Sequence, residues 1–340
     1  MSLASALKTR DVTELPGKRD EDWRWTDLRG LIRVLPEPSP RFTGDVPAGL
    51  FDRLAADHHV LVNGGDARIE VAAGRKSLAA LRLVSRGAGA HANRVTITLA
   101  AGARLRLLET YESDAGSVSQ TTLSITLAEG AALERIVVAQ DHEDAITVSQ
   151  AEVQLAPGAD FGQTIAASGA RRQRLETRVA HPGGRASLRL DGIYLLADKR
   201  HSDQTTVVTH DGLDGTTIQL TKGVVRDQAR GVFQGRIIVS EGADRTDARM
   251  GHHALILSDR AEVDAKPELE IYADDVSCAH GNTVGALDED ALFYARQRGI
   301  PETEARAMLT EAFIGQVVDR IWFEEARNVV RGWATRALGV

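Results

Sequence analysis

One short unit, Leu-Ala-x-Gly-Ala-x-(Leu/Phe), occurs at Leu99, at Leu127 and again at Leu155, 28 residues apart each time. A related unit, Val-Ser-Glu-Gly-Ala, starts at Val239, three such periods further on. A fixed period of this size marks a stacked repeat architecture. Within a repeat the side chains alternate with period two. Leu123, Ile125 and Leu127 fall on one face, and Thr122, Ser124 and Thr126 on the other, as in a β-strand. A fully extended unit of this length would span roughly 90 Å, so each repeat must turn back on itself. Two architectures meet that demand. One is a β-solenoid with the glycines at its corners; the other is an up-and-down antiparallel sheet whose hairpins close at Ala-x-Gly-Ala. The pattern alone leaves both open. The phase weakens between Gly169 and Gly235, where longer strands and irregular turns are expected.

The segments on either side of the repeats have a different texture. The first part, residues 1–57, reads as helical pieces and loops, with Trp23, Trp25 and Leu28 forming a short apolar face. Pro36 to Phe42 holds three prolines in five positions, which excludes regular helix and makes a linker. The β core is expected over residues 58–285. Beyond Gly285 the sequence turns helical. Asp288 is a helix cap with Glu289 and Asp290 in the first turn. Gly299 ends that helix, and Pro301 opens the next at its first position. Ala305, Met308, Leu309, Ala312 and Phe313 share one helical face. A third helical run is expected from Val317 to Val330, so residues 286–340 read as a helical bundle.

Composition excludes several functions. A net charge of −7, spread along the chain, offers no phosphate-binding surface. Aromatic residues make up only 4% of the chain, too few for a base-stacking platform. The expectation is therefore no nucleic-acid partner. No apolar run approaches the ~20 residues of a membrane span, and the first residues do not read as a secretory signal. With a single cysteine, Cys278, no internal disulfide can form, which fits a reducing compartment; the cytoplasm is expected. No Gly-x-x-x-x-Gly-Lys-Ser/Thr loop is present, so hydrolysis of a nucleotide would need another subunit.

The segment Lys266–Gly285, KPELEIYADDVSCAHGNTVG, carries the most chemistry. Cys278 and His280 lie at i, i+2, so on a strand they share a face about 7 Å apart. A thiol and an imidazole suit iron or sulfur, yet one Cys cannot hold a cluster that takes about four protein ligands. Any such site would be completed from another chain. A packed, inert cysteine is the plain alternative. Adjacent His252 and His253 face opposite ways on a strand, one buried and one exposed. Asp274 and Asp275 read as a corner turn rather than a catalytic pair.

This segment, with LDEDALFYARQRGIPETEARAMLTEAF after it, resembles the C-terminal signature of the SufB/SufD family of iron–sulfur cluster assembly scaffold subunits, and its SufD branch in particular. The likeness is strongest from about Thr246 to Phe313. A weaker one lies at GKRDEDWRWTDLRGL (Gly17 to Leu31), where Trp25 stands in place of the usual Tyr. The resemblance implies a mainly β fold, a right-handed parallel β-helix flanked by the N-terminal helical segment and the C-terminal helical bundle. It implies a non-catalytic scaffold that pairs with a SufB-like subunit and a SufC-like ATPase, a homodimer being the other assembly. His280 would be the assembly-critical residue near the contact between scaffolds, with Cys278 as a second ligand. Phe293, Tyr294 and Phe313 would be anchors for the ATPase, although for each one taken singly a place in the helical core is the commoner role. No cofactor is expected in the isolated chain; iron or an iron–sulfur cluster would be held transiently in the complex. The rival readings are a β-helix carbohydrate-active enzyme and a purely structural repeat protein.

Overall fold

The alternating runs fold as seventeen strands in two sheets, and every strand pairing is parallel. The computed structural model describes residues 1–40, 42 and 44–339; Arg41 of the proline-rich stretch and Val340 of the helical segment lie outside them. One sheet holds, in spatial order, β1 (His58–Val62), β3 (Lys76–Ser85), β5 (Arg104–Ser113), β7 (Ala132–Gln140), β9 (Asp160–Ala167), β11 (Ser187–Leu196), β13 (Thr216–Val225), β15 (Thr246–Ile256) and β17 (Val276–Gly285). The other holds β2 (Gly65–Val71), β4 (Gly89–Leu99), β6 (Ser117–Leu127), β8 (Ile146–Leu155), β10 (Arg172–His181), β12 (His201–His210), β14 (Arg230–Val239) and β16 (Glu262–Ile271). Consecutive strands thus fall in opposite sheets, and each coil adds one strand to each. The antiparallel alternative is excluded.

The repeat is the register itself. Leu99 pairs with Leu127, and Leu127 with Leu155. Gly102, Gly130 and Gly158 take φ of 66°, 65° and 68°, the left-handed conformation that glycine adopts without a Cβ clash. In later coils Arg185 and Asp214 supply the same conformation at that corner, φ 60° and 61°, so the glycine signature fades while the coil persists. Coil length also drifts. Gln154, Ala180, Thr209 and Ile238 form one ladder with steps of 26, 29 and 29 residues, which together equal three 28-residue periods. The expectation of longer strands in this region is corrected, since β10 to β14 have ten residues each.

The inward rows of both sheets make one apolar core that includes Ile97, Leu107, Leu127, Phe161, Tyr194 and Phe233. The outer faces are covered on both sides. Helix α1 (Leu3–Thr9) and the following loops pack Leu3, Trp23 and Leu28 against Val118, Ile146 and Val148 of β6 and β8. This contact has a charged anchor. The Arg174 guanidinium lies 4.4 Å from the Trp23 ring centroid and is fully buried. It donates to Asp203 at 2.7 Å and to Glu176 at 2.9 Å, while Thr26 donates to Asp203 at 2.5 Å.

Helices α3 (Glu302–Val318) and α4 (Glu324–Leu338) lie on the other sheet, and α2 (Glu289–Gln297) packs on α3. Ile314, Val317, Phe323 and Trp333 share one apolar cluster with Leu108, Ile136, Ile193 and Val224, so the helices bury their faces on the strands. Asp288 caps α2 through the N–H groups of Asp290 and Ala291. Pro301 is the N-cap of α3, one position before the expected place. The run expected from Val317 to Val330 is split, because Glu134 of β7 accepts from the Trp322 N–H at 2.6 Å and the Phe323 N–H at 3.4 Å, satisfying donors that a continuous helix would have used. Among the described residues no helix is long and apolar enough to cross a membrane.

Burial holds several histidines neutral. It pushes His201 and His252 down to about 4, and His210, whose charge would also be opposed by that of His181 at a ring separation of 4.3 Å, down to about 3. Unfolded imidazoles protonate near pH 6.5, so below that pH protons favour the unfolded chain. Stability is full above about pH 6.5 and falls as the pH drops toward about 4, by at most about 1.4 kcal/mol per pH unit for each histidine. The urea midpoint should therefore fall between pH 7 and pH 5, and His210→Gln should flatten that slope.

Candidate functional site

The last coil has no coil beyond it. Among the described residues β16 pairs only with β14, and β17 only with β15, so both present a free edge at the same end of the solenoid. The two edges differ. β16 carries Glu262, Asp264, Lys266, Glu268 and Glu270, and Pro267 removes one donor. Charges and proline are the usual guards of an exposed edge. β17, Val276 to Gly285, holds no Lys, Arg, Asp, Glu or Pro.

Register decides which way the side chains of β17 face. Cys278 pairs with Ala248, His280 with Met250, and Asn282 with His252. Paired residues of a parallel ladder project to the same side. Ala248, Met250 and His252 are all buried inward residues, so Cys278, His280 and Asn282 continue the interior row. Val276 and Cys278 are half-buried against the core, whereas His280, Asn282 and Val284 are exposed. Across the mouth, Val263 and Leu269 of β16 are likewise half-covered. The core is therefore open at this end, and its rim carries a thiol, an imidazole and an amide in one row. At the first coil Ile69 and Val71 are buried, while Val60 and Ala67 are half-covered.

Burial raises the Cys278 thiol above its ordinary pKa, outweighing a hydrogen bond with the Ala248 backbone that lowers it. The thiol is thus protonated at neutral pH, and binding of a metal there would release its proton. Among the described residues no three or more His, Cys, Asp or Glu side chains are grouped to hold a metal ion. Cys278 and His280 by themselves supply two donors.

The neighbouring candidates separate cleanly. Asp274 and Asp275 occupy the bend between β16 and β17, where the Asp275 carbonyl accepts from the Arg245 N–H at 2.6 Å. His253 lies on the outer face and bonds Thr283 at 2.7 Å. Phe293 and Tyr294 of α2 are 63% and 60% exposed. Phe313 of α3 packs half-buried against the sheet, with the Lys222 ammonium 4.0 Å from its ring centroid.

Beneath the rim lies a chain that motif reading passed over. Tyr194 on β11 reaches His252, oxygen to Nε2 2.8 Å, and His252 Nδ1 meets Asn282 Oδ1 at 2.7 Å. The Phe233 ring stacks on His252 at 4.6 Å with 6° between planes. A Cβ at Gly223 or Gly231 would overlap the Tyr194 ring, so these glycines clear its path. The one sequence signal for Asn282 was its parity with His280.

Residues 82–313 match the family model described as SUF system FeS cluster assembly, SufBD core domain. The chain belongs to the SufBD family. It is 36% identical over 157 residues to the iron–sulfur cluster assembly protein SufD of Escherichia coli, covering 46% of this chain and 37% of that one. It is 39% identical over 127 residues to a SufBD family protein of Synechocystis, covering 37% of this chain and 28% of that one. It is 35% identical over 124 residues to SufD of Bacillus subtilis, covering 36% and 28%. The matched parts thus span roughly a third of these relatives' lengths. Membership in an iron–sulfur assembly family sets aside the carbohydrate-enzyme reading.

As the lone thiol, half-buried and with a raised pKa, Cys278 should take up one equivalent of a maleimide slowly at pH 7. Labelling followed by mass should accelerate as the pH rises, and should still be accelerating above about 8.5, the ordinary thiol pKa.

Proposed function

We propose that the chain is a non-catalytic scaffold subunit in iron–sulfur cluster assembly, which pairs through its last coil with a second, SufB-like scaffold subunit. The observation that carries this reading is the unguarded β17 edge beside an unsealed core. β17 is ten residues long, and the backbone donors and acceptors that face away from β15, on about every second residue, make a template for strand addition free of charge and proline. The half-covered apolar side chains at the mouth lose their contact with water when a second subunit stacks there.

In that arrangement His280 and Cys278 lie inside the contact between subunits. A neutral imidazole ligates iron or moves a proton near pH 7. The remaining ligands, thiolates among them, come from the partner, which accounts for the two donors found here. The cluster is cargo, held while the contact persists.

The helices supply the second docking face. Phe293 and Tyr294, with Met308 at 51% exposure, project from α2 and α3 and serve as anchors for a SufC-like ATPase; Phe313 lies partly beneath, against the sheet. Large exposed aromatic side chains of this kind anchor interfaces. The SufBD family membership and the SufD names of the relatives support this assignment.

The test is co-purification with the two partners, followed by anaerobic reconstitution with ferrous iron and sulfide. His280→Ala should leave the complex intact and abolish retention of iron and sulfide. Ala279→Lys, a charge on the bare edge, should weaken scaffold pairing at least tenfold while the urea midpoint stays unchanged. Equal iron and sulfide in wild type and His280→Ala would place the chemistry wholly on the partner.

A further inference from the structure

The roles of the buried chain beneath the rim follow from valence. Asn282 Oδ1 can only accept, so His252 Nδ1 must carry the hydrogen. Nε2 of the neutral ring then has a lone pair, and the Tyr194 hydroxyl donates to it. Each bond fixes the next, and the Asn282 side-chain plane is set from the interior. Its Nδ2 amide donates to no protein group among the described residues, and it stands on the exposed rim in the same row as His280 and Cys278.

Strand register alone does not require this arrangement. On the outer face His253 and Thr283 already tie β17 to β15. The interior chain needs a tyrosine threaded past two glycines and a histidine with no exposed surface. Buried polar groups so fully paired are costly to arrange and rigid once made. The rigidity is delivered to the one amide that faces the mouth.

We propose that Tyr194, His252 and Asn282 form a positioning relay that aims the Asn282 amide N–H at an anionic sulfur, sulfide or a partner's thiolate, held beside His280. Amide donors to sulfur stabilise the anionic ligand and tune an iron–sulfur centre, and outer partners of this kind are worth about 10–100-fold in metal retention. The inference rests on the interfacial site proposed above. Asn282 is the residue that meets the sulfur; Tyr194 and His252 act through it.

The test uses the complex with both partners, loaded with ferrous iron and sulfide, and reads the visible spectrum and the rate of iron loss to a chelator. Asn282→Asp keeps the acceptor for His252 and removes the donor. It should still assemble, with a shifted charge-transfer band and about tenfold faster iron loss. Tyr194→Phe leaves β17 untouched and should move both readouts in the same direction by a smaller amount. In the unloaded protein, the His252 ¹⁵N shifts should report a neutral ring protonated at Nδ1, and Tyr194→Phe should admit the other tautomer. If Asn282→Asp and Tyr194→Phe match wild type in spectrum and iron loss while His280→Ala fails to load, the relay is overturned and the site stands. If His280→Ala loads normally, the site falls and the relay with it. Should Asn282→Asp fail to assemble, Tyr194→Phe decides alone.

Discussion

A parallel solenoid satisfies the backbone of each strand only through the coils on either side of it. Thirteen of the seventeen strands have a neighbour on each side; β1 and β2 at one end, and β16 and β17 at the other, have only one. The proposed contact between scaffolds follows from how the two strands of the last coil differ. β16 is guarded by five charged residues and a proline, while β17 is left bare. Its inward row carries Cys278, His280 and Asn282 above Ala248, Met250 and His252 of the coil before it. The interior of the fold and its exposed chemistry are therefore the same row of side chains, read at different depths.

The outer faces explain why the open end can exist without the coil unravelling. Arg174 lies wholly inside the contact between the N-terminal segment and the sheet, with Asp203, Glu176, Thr26 and the Trp23 ring around it. Removal of one member of such a group leaves uncompensated buried charge at a cost of about 3–5 kcal/mol. Lys266 and Glu21, 2.7 Å apart, extend the same attachment to β16. On the opposite sheet α3 and α4 cover strands from β5 to β13. The two flanking segments thus clasp the solenoid from both sides and leave its axis free.

Much of this architecture could be read from the residues. The 28-residue spacing of Leu99, Leu127 and Leu155 is the actual register, because identical coil lengths put equivalent residues in one ladder. It ceased to be legible where Arg185 and Asp214 took over the left-handed corner, since a conformation can be shared by residues that look unrelated. The direction of Cys278 and His280 could not be read at all: alternation gives parity along a strand, and only pairing with Ala248 and Met250 tells which parity is inward. The split between α3 and α4 depends on Glu134, more than 180 residues away, a relation no local pattern carries. Tyr194, His252 and Asn282 were hidden for the same reason, each ordinary in its own segment and joined only across three strands.

β17 is also a tether. Only Ala286, Leu287 and the cap Asp288 separate its end at Gly285 from the start of α2, and a Cβ at Gly281 or Gly285 would meet nothing. The helices that rest on the flank of the solenoid are therefore tied by a short length of chain to the strand that forms its rim. A displacement of α2 would be passed along the chain, past the buried Leu287, to the strand that bears His280. Traction along the polypeptide links the two faces of the molecule without any need for a packed interface between them.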